Sequence, residues 1–163
     1  MASVSWSQSI NEVLQQIQDQ IDVFDGLVTT LRQWVDTIDP LTYKSEAWTE
    51  EMKKAYEEYK TQEKVLGKKK NAIKDLLPSS QAPEESLNKA WLAVDWAKAA
   101  LAATEGRLNF VQSYKNAFQD IDSINGHIQA GEDCLKSAKI AFEKGEKQLK
   151  DLWRRWLKDR SAY

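Results

Sequence analysis

The stretch INEVLQQIQDQIDVFDGLVTTLRQWVDTI, residues 10–38, decides the fold. Its apolar residues Ile10, Leu14, Ile17, Ile21, Phe24, Val28, Leu31, Val35 and Ile38 follow one another at steps of four and three without a miss. A period of 3.5 held over that length keeps one apolar seam turned toward a partner helix in left-handed knobs-into-holes packing. Trp6 lies one step earlier on the same seam, and Ser5–Gln8 or Ser9–Glu12 supplies a capping-box pattern. Asp39 and Pro40 stop the run, because proline lacks the donor and clashes with the preceding turn. The first helix is therefore expected near 5–39.

Working outward, Ser45 is a candidate N-cap with Glu46 in the first turn. From there a second seam runs through Trp48, Met52, Ala55, Tyr59, Gln62, Leu66, Lys69, Ile73 and Leu76 to Pro78, a helix near 45–77. Pro83 followed by Glu84 and Glu85 opens a third, rich in alanine around Trp91 and Trp96. At Asn125 and Gly126 two readings compete. Either this turn signal ends a helix near 83–124 and a fourth runs near 127–160, or one long helix continues through it. The apolar phase itself does not break there.

The tryptophans favour the turn. With four antiparallel helices, five of the seven (Trp6, Trp91, Trp96, Trp153 and Trp156) gather at one end, while Trp34 and Trp48 flank the other. An unbroken helix would hold Trp91 and Trp156 roughly 100 Å apart. Charge points the same way. Lys and Arg against Asp and Glu number 1 to 6 over residues 1–40, 9 to 7 over 41–82, 4 to 6 over 83–125 and 9 to 6 over 126–163. The signs alternate, which suits a ring of antiparallel neighbours. The expected fold is an all-α, antiparallel up-down four-helix bundle with coiled-coil-like heptad seams, in one domain spanning 1–163. Phe24, Leu31 and Leu135 should be core.

Residues 24–34 resemble the first helix of a spectrin repeat, and Trp91 stands where that family carries a tryptophan in its third helix. Residues 118–128 repeat the first pattern with Ile128 in place of the aromatic. The resemblance implies an alternative, a three-helix repeat with a long continuous last helix, and use as a scaffold.

Composition narrows function. A net charge of −2 argues against nucleic acid as the default partner, since phosphate binding needs a basic face. One cysteine, Cys134, allows no internal disulfide, and no apolar run approaches the ~20 residues a bilayer span needs. Residues 1–9 lack a signal-peptide pattern, so a soluble, cytoplasmic or otherwise intracellular protein is expected. The lone histidine, His127, has no glutamate three residues before it, which rules out the Glu-x-x-His motif of di-metal bundles. His127 and Cys134 share a helix face but are only two ligands where zinc needs three or four. The six glycines are scattered singly, so no phosphate loop exists, and no catalytic residue, metal or cofactor is expected. Gly131, Ala138 and Gly145 fall at heptad spacing, which lets a neighbouring helix come close. The Lys68–Lys69–Lys70 run reads as a solvated face.

The expected function is thus non-enzymatic binding of another protein, helical or acidic, through helix surfaces. Residues 149–160 mix Leu152, Trp153, Trp156 and Leu157 with Arg154, Arg155 and other cations. Such a segment fits the last turns of a bundle, and it also fits a helix that engages lipid headgroups. Trp6, Trp96, Trp153, Arg154, Arg155 and Trp156 are the candidate partner-binding residues.

Overall fold

A computed structural model describes the backbone of residues 2–75 and 83–161, and the side chains of 10–70 and 89–155. It is a bundle of four helices: α1 (Ala2–Asp36), α2 (Glu50–Asp75), α3 (Pro83–Ser113) and α4 (Ile121–Ser161). No strand occurs among the described residues. Every apolar seam residue of α1 from Ile10 to Val35 is buried, as are Phe24, Leu31 and Leu135.

The boundaries differ from the sequence reading in four places. Helix α1 is already running at Ala2, so Ser5 and Ser9 lie inside it rather than capping it. Propagation adds one hydrogen bond per residue and carries the helix past a weak start signal. It ends at Asp36 rather than 39, where Thr37 and Ile38 donate to the carbonyls of Trp34 and Val35 at 2.9 and 3.0 Å. These tighter bonds close the last turn ahead of Pro40, and Asp39 Oδ1 then accepts the Leu41 N–H.

Helix α2 begins at Glu50, five residues later than Ser45 suggests. Thr49 is the cap: its Oγ1 accepts the Met52 N–H at 3.2 Å, and Glu50 and Glu51 fill the first turn. The residues before it are committed elsewhere. Glu46 N–H donates to Asn116 O at 2.7 Å, and Trp48 Nε1 donates to Ala117 O at 2.7 Å. The segment after residue 75 that should end α2 lies outside the described residues.

The third boundary lies well before Asn125. Helix α3 stops at Ser113, a loop spans 114–120, and Asp120 caps α4 by accepting from the N–H and hydroxyl of Ser123 at 2.8 Å each. Asn125 and Gly126 are therefore helical, and His127 stands in the second turn rather than the first. Burial explains the choice: Ala117 and Phe118, read as a continuation of α3, turn into the core from the loop. Gly126 faces open space and costs α4 only its poor helix propensity.

Contacts fix the directions of neighbours. Asp25 meets Lys139 and Arg32 meets Glu132, so numbering falls along α4 as it rises along α1. The same inversion holds between α3 and α4, where Leu108 faces Gly131 and Val94 faces Gly145. It holds again between α2 and α3, with Tyr59 against Phe110 and Glu63 against Arg107. Among the described residues the ring inferred from alternating charge is not closed. Helix α1 packs on α4 and α3, and among the described residues it makes no close approach to α2. Helix α2 lies along α3 instead, held by a contact that charge counting cannot see: Gly106 lets the Tyr59 backbone and Cβ come in.

Two substitutions separate burial from close approach. Phe24→Ala should cost about 3–5 kcal/mol, read from urea unfolding, because a large buried ring leaves a cavity. Gly131→Ala should cost about 1–3 kcal/mol by forcing Leu108 aside. Gly26→Ala, where nothing lies within 4 Å, should stabilise by about 0.5–1 kcal/mol in the same assay.

Candidate functional site

The tryptophan-rich end is only partly in view. Trp91 and Trp96 are half-buried against the core, and Trp153 is half-buried on α4. Arg154 and Arg155 are exposed, with Arg154 Nη1 3.8 Å from Asp151 one turn back. The Trp96 indole N–H is buried with no hydrogen-bond partner among the described residues. The side chains of Trp6 and Trp156 lie outside the described residues, so the six candidates are not brought together as one patch here.

The denser aromatic assembly sits at the opposite end, where the two loops meet. Trp48 packs 5.2 Å from Tyr56 and 5.6 Å from Phe110, ring centre to ring centre. Phe110 also meets Tyr59, Tyr114 and Phe118 at 5.4, 5.5 and 5.7 Å. Tyr43 donates its hydroxyl to Phe118 O at 2.7 Å, and Lys115 Nζ stands 4.9 Å from the Trp34 ring. Tilted and edge-to-face pairs of this kind add to plain burial, and hydrogen bonds from Glu46, Trp48 and Tyr43 to the carbonyls of Asn116, Ala117 and Phe118 fix loop 37–49 on loop 114–120.

Beneath this end lies a polar group of three helices. The Arg107 guanidinium of α3 donates to Glu63 Oε1 of α2, with the Nε bond at 2.8 Å, and lies 4.8 Å from the Tyr59 ring. Its Nη1 is 3.5 Å from His127 Nδ1 of α4. His127 is itself packed 4.8 Å from Phe118 and stacked on Phe110. Burial, and then the cations of Arg107 and Lys60, lower the His127 pKa to about 4, with Glu63 opposing. Burial likewise pushes the Tyr59 hydroxyl up to about 12, and that hydroxyl has no hydrogen-bond partner among the described residues. Cys134 is raised by burial and by Glu63, so it stays a thiol and a poor nucleophile. Among the described residues no three His, Cys, Asp or Glu side chains converge to hold a metal ion. The arrangement holds neutral histidine beside a paired arginine, which ties α2, α3 and α4 together.

On the other side of the α2–α3 contact is a groove of about 370 Å³. Ala55, Ala102 and Gly106 are its small residues, and Tyr59, Phe110 and Tyr114 its rings. Glu58 and Gln62 come from α2, and Glu105, Asn109 and Ser113 from α3. These five polar side chains are exposed, and they make no hydrogen bond or ion pair within the described residues. Sequence reading missed the site. Gln62 was visible as a polar step in an apolar seam, and Gly106 as an isolated glycine, but nothing linked the two.

No helix among the described residues is long and apolar enough to cross a membrane. No protein-family model, curated protein or solved structure matches the chain.

The histidine makes a pH dependence that can be isolated. Its folded pKa of about 4 lies below the ordinary 6.5, so the unfolded chain binds the extra proton between those values. Stability should therefore be complete above pH 6.5 and fall as pH drops toward 4. Discounted for a half-exposed ring, the loss between pH 7 and pH 5 should be about 1 kcal/mol. As the chain has one histidine, His127→Gln should flatten the urea-unfolding profile across that window.

Proposed function

We propose that this chain is a non-enzymatic interaction module that binds another protein through its helix surfaces, with the α2–α3 groove as the contact. One observation carries the reading. A recess in which Tyr114 is the partly exposed ring, over buried Tyr59 and Phe110, presents five exposed polar side chains that make no hydrogen bond or ion pair among the described residues. A partly exposed tyrosine with a polar rim suits a protein-binding surface. The heptad seams, which resemble those of spectrin repeats, suit the same use as a scaffold. A second reading, contact with lipid headgroups, rests on exposed Arg154 and Arg155 beside half-buried Trp153.

Photo-cross-linking in cells tests the first reading. With p-benzoylphenylalanine in place of Gln62 or of Asn109, one discrete protein adduct should form. The same residue in place of exposed Gln15, on α1, should give none. Absence of an adduct at both groove positions would remove the interaction reading. Co-sedimentation with anionic vesicles, lost on replacing Arg154 and Arg155 by Gln, would favour the second.

A further inference from the structure

We infer that the seat of α2 on the bundle is acid-labile. A proton taken up by His127 favours an opened form: the part of α2 from Tyr59 onward leaves α3 and α4, while those two helices stay packed on each other. The inference goes beyond the interaction reading and does not depend on it. A guanidinium can only donate, so the His127 Nδ1 that faces Arg107 Nη1 at 3.5 Å is the nitrogen bearing the lone pair. Protonation puts a hydrogen there and turns the contact into cation against cation. Among the described residues no uncommitted carboxylate faces the imidazole to balance that charge. From α2, Lys60 is a second cation and Tyr59 a neutral ring. Glu63, the carboxylate of the group, already pairs with Arg107 and lies 3.8 Å from Lys60 Nζ. Phe110 of α3 and Phe118 of loop 114–120 meet the imidazole with their rings, and Cys134, a heptad further along α4, stays a thiol.

The repulsion is relieved at α2 because the other contacts here cost more to break. Helices α3 and α4 meet at Gly131 and Gly145, with Leu108 and Val94 against the glycines. Parting them would expose Leu108, Val94, Ile128 and Leu135, all fully buried. Helix α2 holds less in this stretch. From Tyr59 onward its described side chains give the core one buried ring, Tyr59, and the partly buried Leu66, while Val65 is exposed. Its ion pair with α3 runs through the same Arg107 that faces the imidazole. When Arg107 turns away from His127 it takes Glu63 with it, and the Tyr59 ring, 4.8 Å from the guanidinium, loses its cover. The buried Tyr59 hydroxyl has no hydrogen-bond partner among the described residues, and opening supplies one in water. The His127 pKa, lowered to about 4 from an ordinary 6.5, gives the sign. With its imidazole in water the opened form binds the proton more tightly, so opening grows as pH falls through that window.

The test is amide hydrogen exchange of the intact chain, read as protection factors so that the pH dependence of intrinsic exchange cancels. A detached half of α2 loses the packing that keeps it helical, so its amides report the opening. At pH 7, residues 60–70 should be less protected than 97–111 of α3 and 131–145 of α4. Between pH 7 and pH 5 their protection should fall a further fivefold or so, about the factor expected for a half-buried ring, and in His127→Gln it should not fall. An NMR titration of the single histidine in the folded chain should place its midpoint well below 6.5. Both readings on the unsubstituted chain stand whether or not the variant folds. The inference is overturned if residues 60–70 are as well protected as α3 and α4, since α2 then leaves only with the whole bundle. It is equally overturned if their protection is constant from pH 7 to pH 5, or if His127→Gln loses it to the same extent. A histidine that titrates at 6.5 or above also overturns it.

Discussion

At Gly131 and Gly145, α4 lies so close to α3 that a methyl group would stand 2.7 Å from Leu108 Cδ2 and 2.9 Å from Val94 Cγ2. The other helices are arranged around this pair. Because α3 presents alanine over much of its surface, it buries Ala90, Ala97, Ala100 and Ala103 completely and can be approached from several sides. Helix α1 lays its unbroken seam on α4 and α3, while α2 reaches α3 at Gly106. Small residues give little transfer energy of their own. Their contribution is distance, since dispersion and burial of larger neighbours grow as backbones come together.

The polar interior follows from that geometry. Arg107 leaves α3 between its two neighbours, near enough to Glu63 on one and His127 on the other to touch both. A guanidinium so enclosed is tolerable only because a carboxylate pairs with it and the imidazole beside it remains uncharged. The aromatic rings above it then shut the end of the bundle, with Trp48 and Tyr43 tying one loop to the carbonyls of the other. Thr104, fully buried, satisfies its hydroxyl on Ala100 O within its own helix.

How much of this was legible in the sequence depended on whether the signal was periodic or local. The seam of α1 is a pure heptad, and every described step through Val35 is buried. Gly131 and Gly145 were readable as points of close approach because they share that period. The turns were harder. Asn125–Gly126 has strong turn chemistry, yet the chain bends at 114–120, where Phe118 gains more by entering the core than by extending α3. Ser45 looks like a cap as good as Thr49, and only the pairing of Glu46 and Trp48 with the other loop decides between them. The groove was invisible for a further reason. Its walls come from two helices whose adjacency depends on Gly106 and Tyr59, a pairwise fit that no single-chain period encodes.

Among the described residues helix α2 has one close helix neighbour, α3, and meets α4 through the Tyr59 and His127 rings. Of its described side chains the buried ones, Met52 and Tyr59, lie in its first half; beyond them Leu66 packs partly buried against the core and Val65 is 39% exposed. Met52 and Tyr59 join the same core that α1, α3 and α4 share. A helix with one close neighbour opens its amides to solvent by local detachment more readily than one packed against three, as α3 is. The helix with a single close neighbour thus forms one wall of the groove, so an occupant of the groove would also tighten α2, coupling occupancy to order without any change of fold.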